Sequence, residues 1–315
     1  AYTLVGRIPG GLAQVNVFGS LVFSGMSGAA LADIGGLGRI EIDAMKKRGF
    51  DASFAGAVTA ASATLGPIFP PSIPLIVYGS VTSVSIVQLL IAGIMPALVC
   101  TVLLMTTVFV IASIHKHPRA ERWSTPWEIL RDFLPALPAI VAPALMIVGM
   151  TYGAFTPTEA AAMTAMYVIL ISGVVYRELT LAHLWHSAVL TARSSSAILI
   201  IVAAAALFGW ILAVEQVPQT FAAALLSLSR DPLMLLIIAN LIFFIAGMFL
   251  VFNLMLGLLT PPMGLSLFLV ADIAKVSIRQ LLTALLPLYI PLLTTLLILT
   301  FAKDFTLWLP RLLAQ

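Results

Sequence analysis

Residues 60–80, AASATLGPIFPPSIPLIVYGS, lie inside a run of 63 residues, 52–114, that carries no charged side chain. A run of that kind belongs in a bilayer, where an ordinary helical span takes about 20 apolar residues. Yet Gly66, Pro67, Pro70, Pro71 and Pro74 remove helical donors, add ring clashes and loosen the backbone in its middle, so a helix here must break. Broken backbone at membrane depth persists only where protein or a polar cavity satisfies the freed N–H and C=O groups. Ser62, Thr64 and Ser72 place further oxygens beside the break.

The break has a second copy 191 residues downstream, where Leu65, Gly66, Pro70 and Pro71 recur as Leu256, Gly257, Pro261 and Pro262. Both copies continue alike, with VSIVQLL at residues 84–90 and VSIRQLL at 276–282, followed by Pro96 and Pro287. Paired Gly/Pro-interrupted apolar segments in two halves of a chain point to the binding site of a secondary transporter. Composition agrees: 61% hydrophobic and 9% charged residues, with a mean hydropathy of +1.11, define an integral membrane protein. The net charge of +3 is what basic orienting loops require and gives no reason to expect a nucleic-acid partner. Cys100 is the only cysteine, which excludes a disulfide framework and a cysteine metal site. The chain begins at Ala1 without a signal-peptide pattern, and is expected to start partway through a longer protein.

Residues 15–32 hold one apolar arm and then SGMSG at 24–28, with too few apolar residues after it for a second crossing. This reads as a re-entrant hairpin with its tip near mid-membrane. The alternative is a single helix with Gly and Ser on its packing face. A polar loop is expected over residues 39–51, with Arg39, Lys46, Lys47 and Arg48; the broken crossing and a regular one at 88–113 follow. Lys116, Arg119, Arg122 and Arg131 then mark a second basic loop on the same side, which the positive-inside rule makes cytoplasmic. Residues 133–152 go outward, Thr156-Pro-Thr-Glu159 reads as a capping box, 160–176 return, 194–214 cross outward again and 215–231 lie along the interface. The second break therefore runs opposite to the first. The chain is expected to be an all-α polytopic membrane protein and a single transport domain built as an inverted repeat with re-entrant hairpins and broken transmembrane helices. Residues 10–113 form the first repeat, 114–231 the connecting helices and 232–315 the second repeat.

Residues 232–271 are uncharged, long for one crossing and too short for two. Gly25 and Gly66 are 41 apart, whereas their counterparts Gly247 and Gly257 are 10 apart, so about 31 residues, the returning arm of a second hairpin and its linker, are expected to be absent after Leu250. The omission is either a natural deletion or particular to this chain.

The motifs GGLAQVNV at residues 10–17, SGMSGAALAD at 24–33, AMKKRGFDASFAGAVTAASATLGPIFPPSIP at 44–74, FTPTEAAA at 155–162 and NLMLGLLTPPMG at 253–264 span nearly the whole chain. In them the chain resembles the large membrane subunit of the tripartite ATP-independent periplasmic (TRAP) transporters, the DctM-like family. The resemblance implies an elevator-type, sodium-coupled importer in the bacterial inner (cytoplasmic) membrane. It would take an organic acid, of the dicarboxylate or sugar-acid class, from a periplasmic substrate-binding protein and work beside a small TRAP membrane subunit. Na+ would be the coupling ion, with no other cofactor. The family has further helices ahead of Gly10 and a complete second hairpin.

Carried onto this chain, the resemblance makes Ser24, Gly25, Ser27 and Gly28 of the tip meet Ser62, Thr64, Gly66 and Pro67 of the break, forming one cation site and one wall of the substrate pocket. Gly247, Gly257, Thr260, Pro261, Pro262 and Gly264 would form the pseudo-symmetric mate. Helix N-termini at the breaks would face the substrate carboxylate. Each serine or threonine taken singly is equally readable as packing glue. Asp272 is placed at the interface beside Lys275, and Asp33 at the aqueous end of the hairpin. His183 and His186 are assigned to a cytoplasmic loop without metal partners, and Arg193 to snorkelling. Two alternatives stand beside this one: a Na+- or H+-coupled carboxylate carrier of related fold that needs no binding protein, and, remotely, a rhomboid-like intramembrane serine protease. The second rests on Gly25-Met-Ser27-Gly28 but lacks a histidine in a neighbouring span, because His115, His117, His183 and His186 all fall in loops.

Overall fold

The computed structural model describes residues 8–82, 84–115, 117, 125, 127, 131, 133–228, 231, 234, 235, 238, 259, 260 and 264–301. Among them every regular element is helical. The first helix, α1 (Gly11–Ser27), starts after Gly10 and stops at Gly28, both in the left-handed conformation, at φ 72° and 62°. Ala29 is extended, and the chain returns through α2 (Ala30–Asp33), a π-helical turn (Ile34–Gly38) and α3 (Arg39–Lys47). The two arms are antiparallel neighbours: a Cβ on Gly36 would lie 3.6 Å from the Phe23 ring, and one on Gly19 would lie 3.7 Å from Leu37. Residues 11–47 are thus a helical hairpin, and the single-helix alternative does not hold.

The expected polar loop at residues 39–51 is corrected in the same region, because residues 39–47 are helix. Its charges disguise an amphipathic turn pattern in which Ile42 and Met45 are buried while Arg39, Asp43 and Lys47 face outward. Lys46 Nζ donates to the carbonyl of Ala274 at 3.1 Å, capping the C-terminus of α11, introduced below.

Asp51 caps the next helix, α4 (Ala52–Ser62), by accepting from the Phe54 amide at 3.0 Å. The expected break follows: a short 3-10 turn (Ala63–Leu65), irregular backbone to Ser72, then α5 (Ile73–Thr82). Ser85 caps α6 (Ile86–Ile114). A 3-10 turn (Leu134–Ala136) leads into α7 (Leu137–Thr151), which contains Pro143. The capping box at Thr156 and Glu159 is formed, opening α8 (Pro157–Leu170). The following helix, α9, is longer than the expected crossing and runs Leu181–Val214. His183 and His186 therefore sit on a helix rather than in a loop, Arg193 lies on the same helix, and Thr180 caps it by accepting from the His183 amide at 3.2 Å. The chain ends its described course with α10 (Val217–Leu228), α11 (Leu265–Ala274) and α12 (Ile278–Phe301).

The core lies where α1, α3, α4, α6, α11 and α12 converge, with Ile34, Leu65, Leu104, Leu267 and Leu285 fully buried. Gly56 lets α11 and α12 close on α4, since a Cβ there would come 3.0 Å from both Val270 and Leu281. By contrast Leu199, Ile200, Leu207, Phe208 and Trp210 of α9 are exposed, the outward apolar surface that a bilayer-facing helix presents. Among the described residues three helical segments are long and apolar enough to cross a membrane, Ile86–Ile114, Pro157–Val175 and Ile278–Leu299. The chain is a multi-pass helical membrane protein.

Just past α6, the His117 ring stacks on Phe54 and Phe50 with centroids 4.4 and 5.3 Å away, tying this end of α6 to the hairpin–α4 junction. Burial against these rings pushes the imidazole below its ordinary value of 6.5, aided by neighbouring His115 and opposed by Asp51. The folded protein therefore resists a proton that the unfolded chain accepts. The contact is at full strength above pH 6.5, and stability is lost as pH falls from there through the depressed folded value. Thermal unfolding in detergent should show this loss, and His117→Phe should flatten it; an unchanged pH profile in the variant would refute the assignment.

Candidate functional site

A polar seam runs along the inner face of the hairpin and ends at its tip. Asn16 Nδ2 donates to Thr59 Oγ1 at 2.7 Å, Ser62 Oγ donates to Asn16 Oδ1 at 2.8 Å, and Ser20 Oγ lies 2.9 Å from Ser62 Oγ. One turn on, Ser24 Oγ donates to the Ser20 carbonyl at 2.5 Å. Asn16, Ser24 and Ser62 are each wholly buried. Apolar packing offers such groups nothing, so each needs a polar partner: Asn16 and Ser62 find theirs between α1 and α4, and Ser24 finds its own on α1 at the Ser20 carbonyl.

The tip docks onto the break through glycine. A Cβ on Gly28 would fall 2.4 Å from the Pro71 carbonyl oxygen and 3.3 Å from the Ile73 nitrogen, so only glycine fits there, and Ile73 N–H donates to Gly28 O at 3.4 Å. Gly66, in the break, leaves room for Asp33: a Cβ there would stand 2.6 Å from Asp33 Oδ2 and 3.3 Å from the Ala29 carbonyl carbon. Gly25 packs against Pro143 of α7, with a Cβ position 2.5 Å from the Pro143 Cβ. Thr64 turns its hydroxyl back to the Ala61 carbonyl at 2.7 Å, and the Pro67 carbonyl accepts from Ser72 at 2.5 Å.

Ser24, Ser27, Gly28 and Gly66 thus meet at one junction between hairpin and broken helix, through Asp33, Pro71 and Ile73; Ser62 joins α1 below the tip at Asn16 and Ser20, Gly25 faces Pro143 of α7, and the bonds of Thr64 and Pro67 stay within the break. Of the second set, Gly264 is buried as the N-cap of α11, and Thr260 lies beside Tyr289, whose hydroxyl donates to the Leu259 carbonyl at 2.5 Å. Gly247, Gly257, Pro261 and Pro262 lie outside the described residues, as does the stretch around Leu250.

Asp33 is the correction. Far from the aqueous end, it is 2% exposed at the junction, where Ser27 Oγ donates to Oδ1 and Ser24 Oγ lies 3.4 Å from Oδ2. The signal was present in SGMSGAALAD, since nine residues separate Ser24 from Asp33 and a hairpin turn at Gly28 folds one back onto the other. Asp272, by contrast, lies where the sequence put it, exposed and paired with Lys275 at 2.9 Å. No group of three or more histidine, cysteine, aspartate or glutamate side chains able to hold a metal occurs among the described residues. The rhomboid-like alternative finds no support: Ser27 bonds to a carboxylate, while His117 stacks on phenylalanines and His183 lies against the Glu178 carbonyl.

The family model for the tripartite ATP-independent periplasmic transporter, DctM component, matches this chain over residues 1–251 and 245–305. The sialic acid TRAP transporter large permease protein SiaM of Vibrio cholerae is 37% identical over 346 residues, covering 99% of this chain and 80% of that protein. Against the 315 residues here, at least 31 aligned positions have no counterpart in this chain. The C4-dicarboxylate TRAP transporter large permease protein DctM of Pseudomonas aeruginosa is 31% identical, with 99% of this chain and 80% of that protein covered. The sialic acid TRAP transporter permease protein SiaT of Haemophilus influenzae is 36% identical over 99% of this chain but only 56% of its own length. With a hairpin, a broken helix and a family model matched over residues 1–305 in two stretches, the chain belongs to the DctM family of TRAP transporters, as a transport permease rather than an enzyme.

Proposed function

We propose that this protein is the large membrane subunit of a sodium-driven importer in the bacterial inner membrane, taking an organic acid from a periplasmic binding protein beside a small membrane subunit. The observation that carries the reading is the buried junction of hairpin tip and broken helix. It concentrates hydroxyls and irregular backbone carbonyls where a hard cation needs oxygen ligands, and it leaves the apolar spans almost free of charge. The relatives' names, for sialic acid, C4-dicarboxylate and 2,3-diketo-L-gulonate, support a carboxylate-bearing substrate.

The second set, Gly247, Gly257, Thr260, Pro261, Pro262 and Gly264, forms the mate of this site in an inverted repeat, and the hairpins move with the breaks as an elevator. In each half a short helix is followed by a long one, α5 then α6 and α11 then α12, which supports the repeat. The two-piece family match and the 31 unmatched positions support a shortened second hairpin near Leu250.

The test is uptake into proteoliposomes holding both membrane subunits. Accumulation of a labelled sugar acid or dicarboxylate should require an inward sodium gradient together with the substrate-loaded binding protein. Uptake of free substrate without the binding protein would instead favour the carrier of related fold. Restoring the missing residues after Leu250 from a relative should raise uptake.

A further inference from the structure

The two arms of the hairpin meet along one face of the returning arm. Leu37 lies 3.7 Å from the Cβ position of Gly19 on α1, and Met45 Sδ lies 4.0 Å from the Asn16 amide, so Glu41, one turn from each, falls on the same line of contact. Its carboxyl is in the seam: a Cβ on Gly19 would stand 2.8 Å from Oε1, so the acid occupies space that a larger residue at this position would take. Glu41 Oε2 is wholly enclosed without a hydrogen-bond partner, although part of the side chain still reaches the surface. An apolar residue would continue the line of Leu37 and Met45, and an acid there calls for a reason.

No cation among the described residues answers it. α1, α4 and the π-helical turn carry no charged or titratable side chain. Asp272 of α11 pairs with Lys275 in solvent. On the returning arm itself Asp33 is a further buried acid, Arg39, Asp43, Lys47 and Arg48 are exposed, and Lys46 donates to the Ala274 carbonyl. No salt bridge to Glu41 occurs among the described residues. Enclosing half of a carboxylate charge without a partner costs far more than enclosing the carbonyl-type oxygen of a neutral acid.

We propose that Glu41 is a proton-operated lock on the hairpin: as the neutral acid it lets the arms close, and as the carboxylate it turns out to water and parts them. The proton comes from water at the exposed edge of the side chain and returns there, converting carboxylate to carboxylic acid and back with no other reactant. With the arms parted Glu41 is solvated, and a solvated glutamate gives up its proton above about pH 4.3. Acid therefore favours closure, and closure weakens as pH rises through the range in which the enclosed acid ionises. Gly19 stands nine residues before Gly28 on α1, about 14 Å along the helix, so the lock lies away from the tip and acts on it through α1.

The test compares wild type with Glu41→Gln, which keeps the shape and cannot ionise, in the purified membrane complex. Above pH 6.5 the His117 contact is at full strength and adds no slope, and whatever Asp33 contributes is common to both proteins. From there to about pH 9 the thermal midpoint of wild type should fall about 3 °C further than that of Glu41→Gln. Parallel profiles overturn the proposal. Gly19→Ala tests the same contact with the acid in place: its Cβ displaces the carboxyl into solvent, so its profile should be as flat as that of Glu41→Gln, and a slope equal to that of wild type overturns the proposal. If Glu41→Gln yields no folded complex, Glu41→Met, apolar and of similar length, takes its place with the same expectation. Uptake at equal pH on both sides of the vesicle should decline over the same range about threefold more in wild type than in Glu41→Gln, and equal responses overturn the proposal. Failure of the transport reading is distinguishable, because neither protein would then take up substrate while the thermal comparison still decides the lock.

Discussion

Gly28→Ala should cut uptake at least tenfold, and Gly28→Val should abolish it, with the protein still inserted in the membrane. Gly28 adopts φ 62°, a conformation that costs a residue bearing a Cβ about 1–2 kcal/mol. The added carbon would stand 2.4 Å from the backbone oxygen of Pro71, and that oxygen belongs to the break itself rather than to the flexible end of a side chain. Relief therefore requires tip and break to part, which also stretches the bond from Ile73 N–H to Gly28 O. Each 1.4 kcal/mol shifts the population of closed junction about tenfold, so strain and clash together exceed that factor. Gly35→Ala is the matched control: no atom lies within 4 Å of its Cβ position and its φ is not positive, so uptake should stay near wild type. Uptake by Gly28→Ala within twofold of wild type would remove the tip–break junction from the mechanism.

The difference between Gly28 and Asp33 shows how far a sequence of this kind can be read. Gly66, Pro67, Pro70 and Pro71 announce a break because their effect on the backbone is local and needs no neighbour. SGMSG likewise marks a place where the chain can turn. Where Asp33 ends up depends on which face of the returning arm lies against α1, and that is set by tertiary packing. Beyond Asp33 the π-helical turn Ile34–Gly38 hides the register of α3, since it holds an extra residue and rotates everything after it relative to an α-helical count. Charge misled in α3, where Arg39, Glu41, Asp43, Lys46 and Lys47 hide a helix whose other face holds Ile42 and Met45. The start of α9 had a local signal, the cap at Thr180, but His183, Trp185 and His186 gave its first turns the look of a loop. The capping box at Thr156 was legible because both of its partners are three residues apart.

Asn16→Leu should be the most destabilising single change in the hairpin that leaves its backbone intact. Leucine is close in size and belongs on an apolar helix, so propensity and hydrophobicity both favour it. The seam decides otherwise. Asn16 gives a proton to Thr59 and takes one from Ser62, and its amide also lies 4.0 Å from Met45 Sδ, so one side chain serves α4 and α3 at once. Leucine leaves Thr59 Oγ1 without its donor and Ser62 without its acceptor in a place that water does not reach, since Thr59 is 1% and Ser62 0% exposed. A buried group left unsatisfied costs about 1–3 kcal/mol, and Thr59 falls toward the low end because its hydroxyl still donates to the Ala55 carbonyl at 2.9 Å. Ser62 can fall back on the Thr59 carbonyl at 3.2 Å, which puts the total nearer about 2–4 kcal/mol than twice the upper figure. That is large against the stability of ordinary folded domains, about 5–15 kcal/mol. Thermal unfolding in detergent should therefore come several degrees lower. Because Asn16 and Ser62 share one bond, Ser62→Ala added to Asn16→Leu should cost less than the two changes measured separately, a non-additivity expected only of groups in direct contact. Strictly additive losses would mean that α1 and α4 are held by their apolar contacts and that the seam between them contributes nothing of its own.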